Sequence, residues 1–270
     1  MQQETFVDGI SFWAQRLPGW EIAGAVLAGR ADPPVVAGRR PSPELLPPAE
    51  RRRAPDSVAL AMEVAAGACA AAAVDPAGLA SVFATTHADL AITDYLCETL
   101  VRAPLHTSPT RFHNSVHNAA AGYWCIATGC HAPYTTLSVH EYSFAAGLFE
   151  TLLQVASDGR PVLYVAFDIE ACGPLAPITV SHGLLGAGLV LSPVRTATSR
   201  ARLSWSTRPG GGAQSTAARS ANTELIGGNA MAACLPFYEA LAAGGGPVTL
   251  ALGPDLLLDV VLDSCAPAPP

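Results

Sequence analysis

The chain has 270 residues, half of them apolar and only 14% charged, with a formal net charge of −7. Such a length can bury a large core, and the acidic balance argues against nucleic acid or an anionic membrane as a partner. No apolar run reaches the roughly 18 residues of a membrane span without a Gly, Pro or polar break, so the apolar excess implies a big core plus a buried protein interface.

All fifteen basic residues are Arg, which with the Ala-rich composition points to the GC-rich codon usage of a bacterium. The opening MQQETFVDGISFW has no basic segment followed by an apolar one, so no signal peptide is expected. Seven Cys without CxxC spacing read as reduced cytoplasmic thiols, not as a disulfide framework.

In chain order, Phe6 to Trp13 reads as a strand, and Pro18-Gly19-Trp20 as a turn before a short helix to Gly29. Residues 30–48 hold Pro and Gly without periodicity and are expected to be loop. Pro47 to Ala73 is the clearest helix, with Pro48 at its first position and Arg51, Arg52 and Arg53 on its early turns. That Arg triplet is a solvated face or a contact for an acidic partner. A turn at Asp75 to Gly78 leads to a buried strand, Leu79 to Ala84, and a helix from Asp89 to Arg102. Later come a buried strand at Pro161 to Asp168, a Gly-rich strand or strand pair at His182 to Ser192, and a partner strand for it at Ala201 to Ser206. Residues 207–222 are expected to be a flexible loop, followed by a helix from Ala230 to Ala243 and two strands, Val248 to Leu252 and Leu256 to Leu262. The alternation gives one α/β domain over 1–270 with a mainly parallel sheet.

The chain is organised around Leu105 to Glu150. Thr107 to Thr110 is a polar loop, and Asn114 to Gly129 is dense in Asn, Ala and Gly, which suits close backbone approach. Within and beside it, Phe112, Asn114, Asn118, Tyr123, Trp124 and Tyr134 are candidate interface residues. A β-leaning run, Tyr134 to Val139, breaks at His140-Glu141-Tyr142 and becomes a small-residue helix, Ser143 to Val155. Strand, sharp turn and helix N-terminus have the layout of a nucleophile elbow. Yet the elbow carries His140 and Glu141, with Ser143 behind them, and neither Cys nor Ser at its tip.

Other constellations are weaker. His113 and His117 stand one helical turn apart with His106 nearby, but no further ligand completes a zinc set, so no metal is expected. A triad of Ser138 or Ser143 with His182 and Asp168 can be drawn on paper without anything fixing its geometry. The glycines after His182 lack the Lys-Ser/Thr of a phosphate loop and read as strand packing.

Three runs carry a family resemblance: LPPAERRRAPDSVALAMEVAAGACAAAAVDP (Leu46 to Pro76), SPTRFHNSVHNAAAGYWCIATG (Ser108 to Gly129) and SFAAGLFE (Ser143 to Glu150). They resemble the N-terminal beta-ketoacyl-synthase-like family, whose members lie beside ketosynthases in aryl polyene and xanthomonadin-type pigment clusters. The resemblance implies a thiolase-like layered α/β/α fold, truncated relative to full condensing enzymes. It also implies no cofactor, a dimer with itself or with a beta-ketoacyl-ACP synthase, and acyl carrier protein as a further partner, for which Arg51, Arg52 and Arg53 are candidate contacts. The family's catalytic Cys aligns with His140 or Glu141, Cys130 lies ten residues too early, and no His follows His182 to supply a second-half pair. The chain therefore resembles a chain-length factor that shapes the acyl tunnel of an active ketosynthase in polyene or fatty-acid-type synthesis. The rival readings are an independent acyltransferase or thioesterase and a homodimeric carrier-binding scaffold.

Overall fold

The computed structural model describes residues 3–210 and 215–265. Its elements are β1 (Gln3–Ala14), β2 (Leu17–Pro18), α1 (Trp20–Leu27), α2 (Pro48–Arg53), α3 (Asp56–Ala72), β3 (Ala80–Ala84), α4 (Leu90–Arg102), α5 (Pro109–Asn114) and α6 (Ala119–Thr128). They continue with β4 (Tyr134–Leu137), α7 (Ser143–Asp158), β5 (Val162–Asp168), β6 (Leu185–Ser192), β7 (Ala201–Pro209), α8 (Ser220–Ile226), α9 (Leu235–Ala243), β8 (Gly245–Gly253) and β9 (Leu256–Ser264).

The strands form one sheet in the order β4-β3-β5-β6-β1-β7-β9-β8, with β2 paired to β1. Only β3 with β4 and β3 with β5 run parallel, and every other pair is antiparallel. The expected mainly parallel sheet is thus corrected to a mixed one. Buried strands read as continuous apolar runs in either orientation, so the sequence of β5 and β6 does not reveal direction.

Helices cover both faces, giving the α/β/α layering. On one face α3 lies across β1, β5 and β6 with α6 beside it, and their side chains close one core around Met62, Phe83, Trp124 and Phe167. On the other, α1, α7 and α9 close a second core around Phe12, Phe144, Tyr164, Phe237 and Tyr238. Strand β8, at the opposite edge of the sheet from β4, packs on α7 as β3 and β5 do, so the sheet curls round that helix.

The Ala-rich sequence of α3 explains how closely it rides on the sheet. A Cβ at Gly9 would meet the Ala68 carbonyl oxygen at 2.0 Å, and one at Gly188 would meet the Val64 carbonyl oxygen at 2.5 Å. The Gly-rich stretch after His182 is one strand, and its glycines serve this packing.

Other boundaries differ from the sequence reading. The helix expected over Pro47 to Ala73 is two, because Pro55 cannot continue a helix and holds Ala54 extended at ψ 132°. Pro48 does open the first of them. Strand β7 pairs with β1 and β9, not with the preceding strand. The region 207–222 is not loop throughout: β7 runs to Pro209 and α8 begins at Ser220, while 211–214 lie outside the described residues.

Candidate functional site

The elbow sits at the C-terminal end of β4, the edge strand, where the chain turns through a 3-10 turn at His140–Tyr142 into α7. His140 adopts φ 50°, the left-handed region that few non-glycine residues occupy. Two bonds lock this turn from below. The buried Ser143 hydroxyl donates to the His140 carbonyl at 2.7 Å and accepts from the Val139 N–H at 2.9 Å. From the side, Ser138 Oγ donates to the Thr86 carbonyl at 2.9 Å and Thr86 Oγ1 to the His140 carbonyl at 3.5 Å.

Thr86 belongs to a loop that leaves the end of β3 and is fastened to β5. The buried Asp168 carboxylate accepts from Thr85 Oγ1 at 2.8 Å and from the Thr86 N–H at 3.0 and 3.1 Å. Behind it, Asn229 Nδ2 bridges the carbonyls of Asp168, His182 and Gly183. Burial pushes the Asp168 carboxyl up, against the opposing pull of the threonine hydrogen bonds and of His87. Burial pushes the His87 imidazole down, with Asp168 pulling it up and His140 pushing it further down. His87 Nε2 has no hydrogen-bond partner among the described residues.

The tip of the elbow carries His140 and Glu141, flanked by Ser138 and Ser143. The side chains of His140 and Glu141 are both exposed. Glu141 lines a cavity of about 490 Å3 together with Tyr142, Ala145 and Leu250. The Ser143 and Ser138 hydroxyls each donate to a backbone carbonyl, not to a base that could remove the proton. The triad drawn on paper does not assemble, since His182 pairs with Glu170 at 3.2 Å while Asp168 binds the threonines. Cys130 is buried at the other end of β4, beyond reach of the elbow. His113 stacks near Tyr123 at 6.0 Å and His117 Nε2 approaches the Thr85 carbonyl at 3.5 Å, so the two serve different neighbours.

The other sequence candidates divide by burial. Asn118 Nδ2 donates to the Tyr134 hydroxyl at 3.1 Å, joining α6 to the edge strand, and Phe112 and Tyr134 are exposed. Tyr123 is half-buried. Asn114 and Trp124, expected at an interface, are instead buried within the chain at 5% and 0% exposure. Trp124 fills the core under α3, as the largest side chain on an otherwise Ala-rich helix must. Arg51 is committed to the carbonyls of Leu46 and Glu44, whereas Arg52 and Arg53 are exposed.

Sequence reasoning missed Thr85, Thr86, His87 and Asn229. A signal existed for the first three: the polar Thr85-Thr86-His87 directly follows the fully buried ASVFA of a parallel strand, at the carboxyl end where functional groups gather.

The model for "Beta-ketoacyl synthase, N-terminal domain" matches residues 28–237. No curated protein matches the sequence. Among solved structures the chain is similar to a ketosynthase (ApeO) in complex with its chain length factor (ApeC) from Xenorhabdus doucetiae. The TM-score is 0.69 at 19% identity, covering 95% of this chain and 98% of that one. It is similar also to the ishigamide ketosynthase/chain length factor, with TM-score 0.69, 16% identity and coverage of 97% and 99%. A type II polyketide ketosynthase complex with acyl-carrier protein, AntDE:AntF, gives TM-score 0.74 at 8% identity over 98% of this chain and 100% of that one.

Proposed function

The chain belongs to the beta-ketoacyl synthase family through its N-terminal domain, and on that premise we propose that it is a non-catalytic, chain-length-factor-like subunit. It pairs with an active beta-ketoacyl-ACP synthase in polyene or fatty-acid-type synthesis and shapes the tunnel that holds the growing acyl chain. The carrying observation is the elbow itself, which keeps the strand, the left-handed turn and the helix N-terminus but bears exposed His140 and Glu141 and hydroxyls bound to carbonyls.

Two surface features support pairing. The helices α4 to α6 and the turns between them expose Val101, Leu105, Phe112, Val116 and Ile126, with Leu105 96% and Ile126 82% accessible. Side chains so apolar and so exposed need a cover, and obligate interfaces supply one. Next to them lies the open edge of β4, a template for a strand from a second subunit. Arg52 and Arg53 remain the carrier contacts in this reading. No helix among the described residues is long and apolar enough to cross a membrane, and such a subunit would work in the cytoplasm.

The test is co-expression with a beta-ketoacyl-ACP synthase, followed by incubation of the purified complex with acyl-carrier thioester and mass spectrometry of both chains. The acyl adduct is expected on the synthase alone. An adduct between Ser138 and Ser143 of this chain, or thioester turnover that His140→Ala lowers by about 10²-fold or more, would establish an enzyme instead.

A further inference from the structure

Outside the elbow, the arginines of the chain differ in what holds their charge. Arg40, Arg160, Arg202 and Arg208 pair with carboxylates. Arg16, Arg30 and Arg219 do not, and they meet in one open cleft of about 690 Å3 that also has Asp32, Glu224 and Leu225 in its wall. We propose that this cleft binds a phosphorylated small molecule of nucleotide size.

The three cations are held in place without being neutralised. Arg16 Nε and Nη2 donate to the Pro34 carbonyl at 3.1 and 3.0 Å. Arg30 Nη1 donates to the Ala242 carbonyl at 3.0 Å and Nη2 to that of Gly24 at 3.4 Å. A carbonyl is a dipole, so it fixes a guanidinium while leaving its unit charge unmatched. Arg219 is anchored through its backbone instead: its N–H donates to the buried Glu239 carboxylate at 3.0 and 3.3 Å, which also accepts from Asn222 Nδ2 at 2.6 Å. Its guanidinium is left to the cleft, where Nη1 would stand 3.5 Å from a Cβ at Gly29, next to Arg30. Asp32 and Glu224 form no ion pair with any of the three among the described residues.

The chemistry of the donors selects the ligand. Guanidinium groups match the oxygens of phosphate or carboxylate, and the N–H groups that Arg16 and Arg30 keep beyond their carbonyl bonds, with those of Arg219, outnumber what the two oxygens of a carboxylate can accept. A phosphate group has the oxygens for them. The cleft is far larger than one phosphate and falls within the roughly 300–1,000 Å3 of small-molecule sites. Val26 and Leu225 give the body of the ligand an apolar wall, and the free carboxylates of Asp32 and Glu224 can accept from its hydroxyl or amino groups.

The cleft opens at the same end of the sheet as the elbow. Arg16 follows β1, whose last residue Ala14 is level with Leu185, and Leu185 is level with Asp168. The inference does not depend on the proposed function, since it uses none of the elbow or interface residues.

Calorimetric titration of the full chain with ADP, inorganic pyrophosphate, adenosine and citrate tests it. ADP and pyrophosphate are expected to bind with dissociation constants of about 1 mM or tighter, and adenosine and citrate at least about tenfold more weakly. Arg219→Gln, whose guanidinium holds no backbone group, should weaken ADP by about tenfold or more at unchanged melting temperature. Absence of ADP and pyrophosphate binding, equal binding of adenosine or citrate, or full ADP binding by Arg219→Gln overturns the proposal.

Discussion

The hydroxyl of Ser143 and the carbonyl of His140 stand 2.7 Å apart, and the same hydroxyl accepts from the Val139 N–H. One buried serine thus fixes both sides of a turn whose tip holds a left-handed histidine. It also bears on the proposal that the serine beside the elbow is no nucleophile. Its proton is given to a carbonyl, which is not a base that could remove it.

Ser143→Ala should therefore cost stability and not chemistry. Removing the hydroxyl takes the partner of the Val139 N–H and one of the donors to the His140 carbonyl, a loss of about 1–2 kcal/mol. Urea unfolding reads the loss, and a change below a few tenths of a kcal/mol would mean that the two bonds do not hold the elbow.

The φ of His140 makes a second prediction. Glycine carries no Cβ penalty in the left-handed region, whereas a β-branched residue is strained there. His140→Gly should be neutral or stabilising by up to about 1 kcal/mol, and His140→Val destabilising by about 1–2 kcal/mol. Equal melting temperatures for the two variants would contradict the turn geometry.

Gly147 lies where α7 presses on the sheet. A Cβ there would meet the Tyr164 ring at 2.6 Å and the Ala84 Cβ at 2.8 Å. Tyr164 cannot swing aside, because its buried hydroxyl donates to the Phe144 carbonyl at 2.6 Å. Gly147→Ala should cost about 1–3 kcal/mol in chemical denaturation, and an unaffected variant would show that helix and sheet are further apart.

The open edge of β4 gives a test of pairing that spares the fold. The Pro133 and Leu137 carbonyls accept from Ser81 and Thr85, so the alternate residues Tyr134 and Thr136 turn their backbone groups outward. Thr136→Pro removes an outward donor, which an edge strand tolerates. In analytical ultracentrifugation it should weaken self-association or partner association by about tenfold or more, while circular dichroism stays unchanged. Unaltered association would place the interface elsewhere.

The pH dependence around His87 has a definite sign. Its folded pKa lies below the ordinary 6.5, so the neutral form is favoured in the native state, and the stability tied to it is full above 6.5 and lost as pH falls through the lowered value. Asp168 acts the other way, its stability present below 3.8 and lost as pH rises through its raised value. The stability of the wild type relative to His87→Phe should therefore drop as pH is lowered below 6.5. A flat difference from neutral to pH 5 would refute the half-buried, neutral imidazole.

The sequence alone determined what is local. Apolar runs marked β3, β5 and β6, Pro48 marked a helix start, and the break after Val139 marked the elbow, whereas the helix that opens at Pro109 inside the expected polar loop was not legible. These signals depend on neighbours in the chain, and the quoted runs also carried the family. Only the tertiary structure decided the rest. Strand direction followed from which edges met, since a buried strand is apolar either way. Trp124 became core and not interface because α6 rolled towards α3. The residues that hold the elbow, Thr86 and Asp168, lie 54 and 28 positions from His140. The arginine cleft joins Arg16 to Arg219 across most of the chain. Contacts at such separations are set by the packing of layers, and no periodicity in a single sequence encodes them.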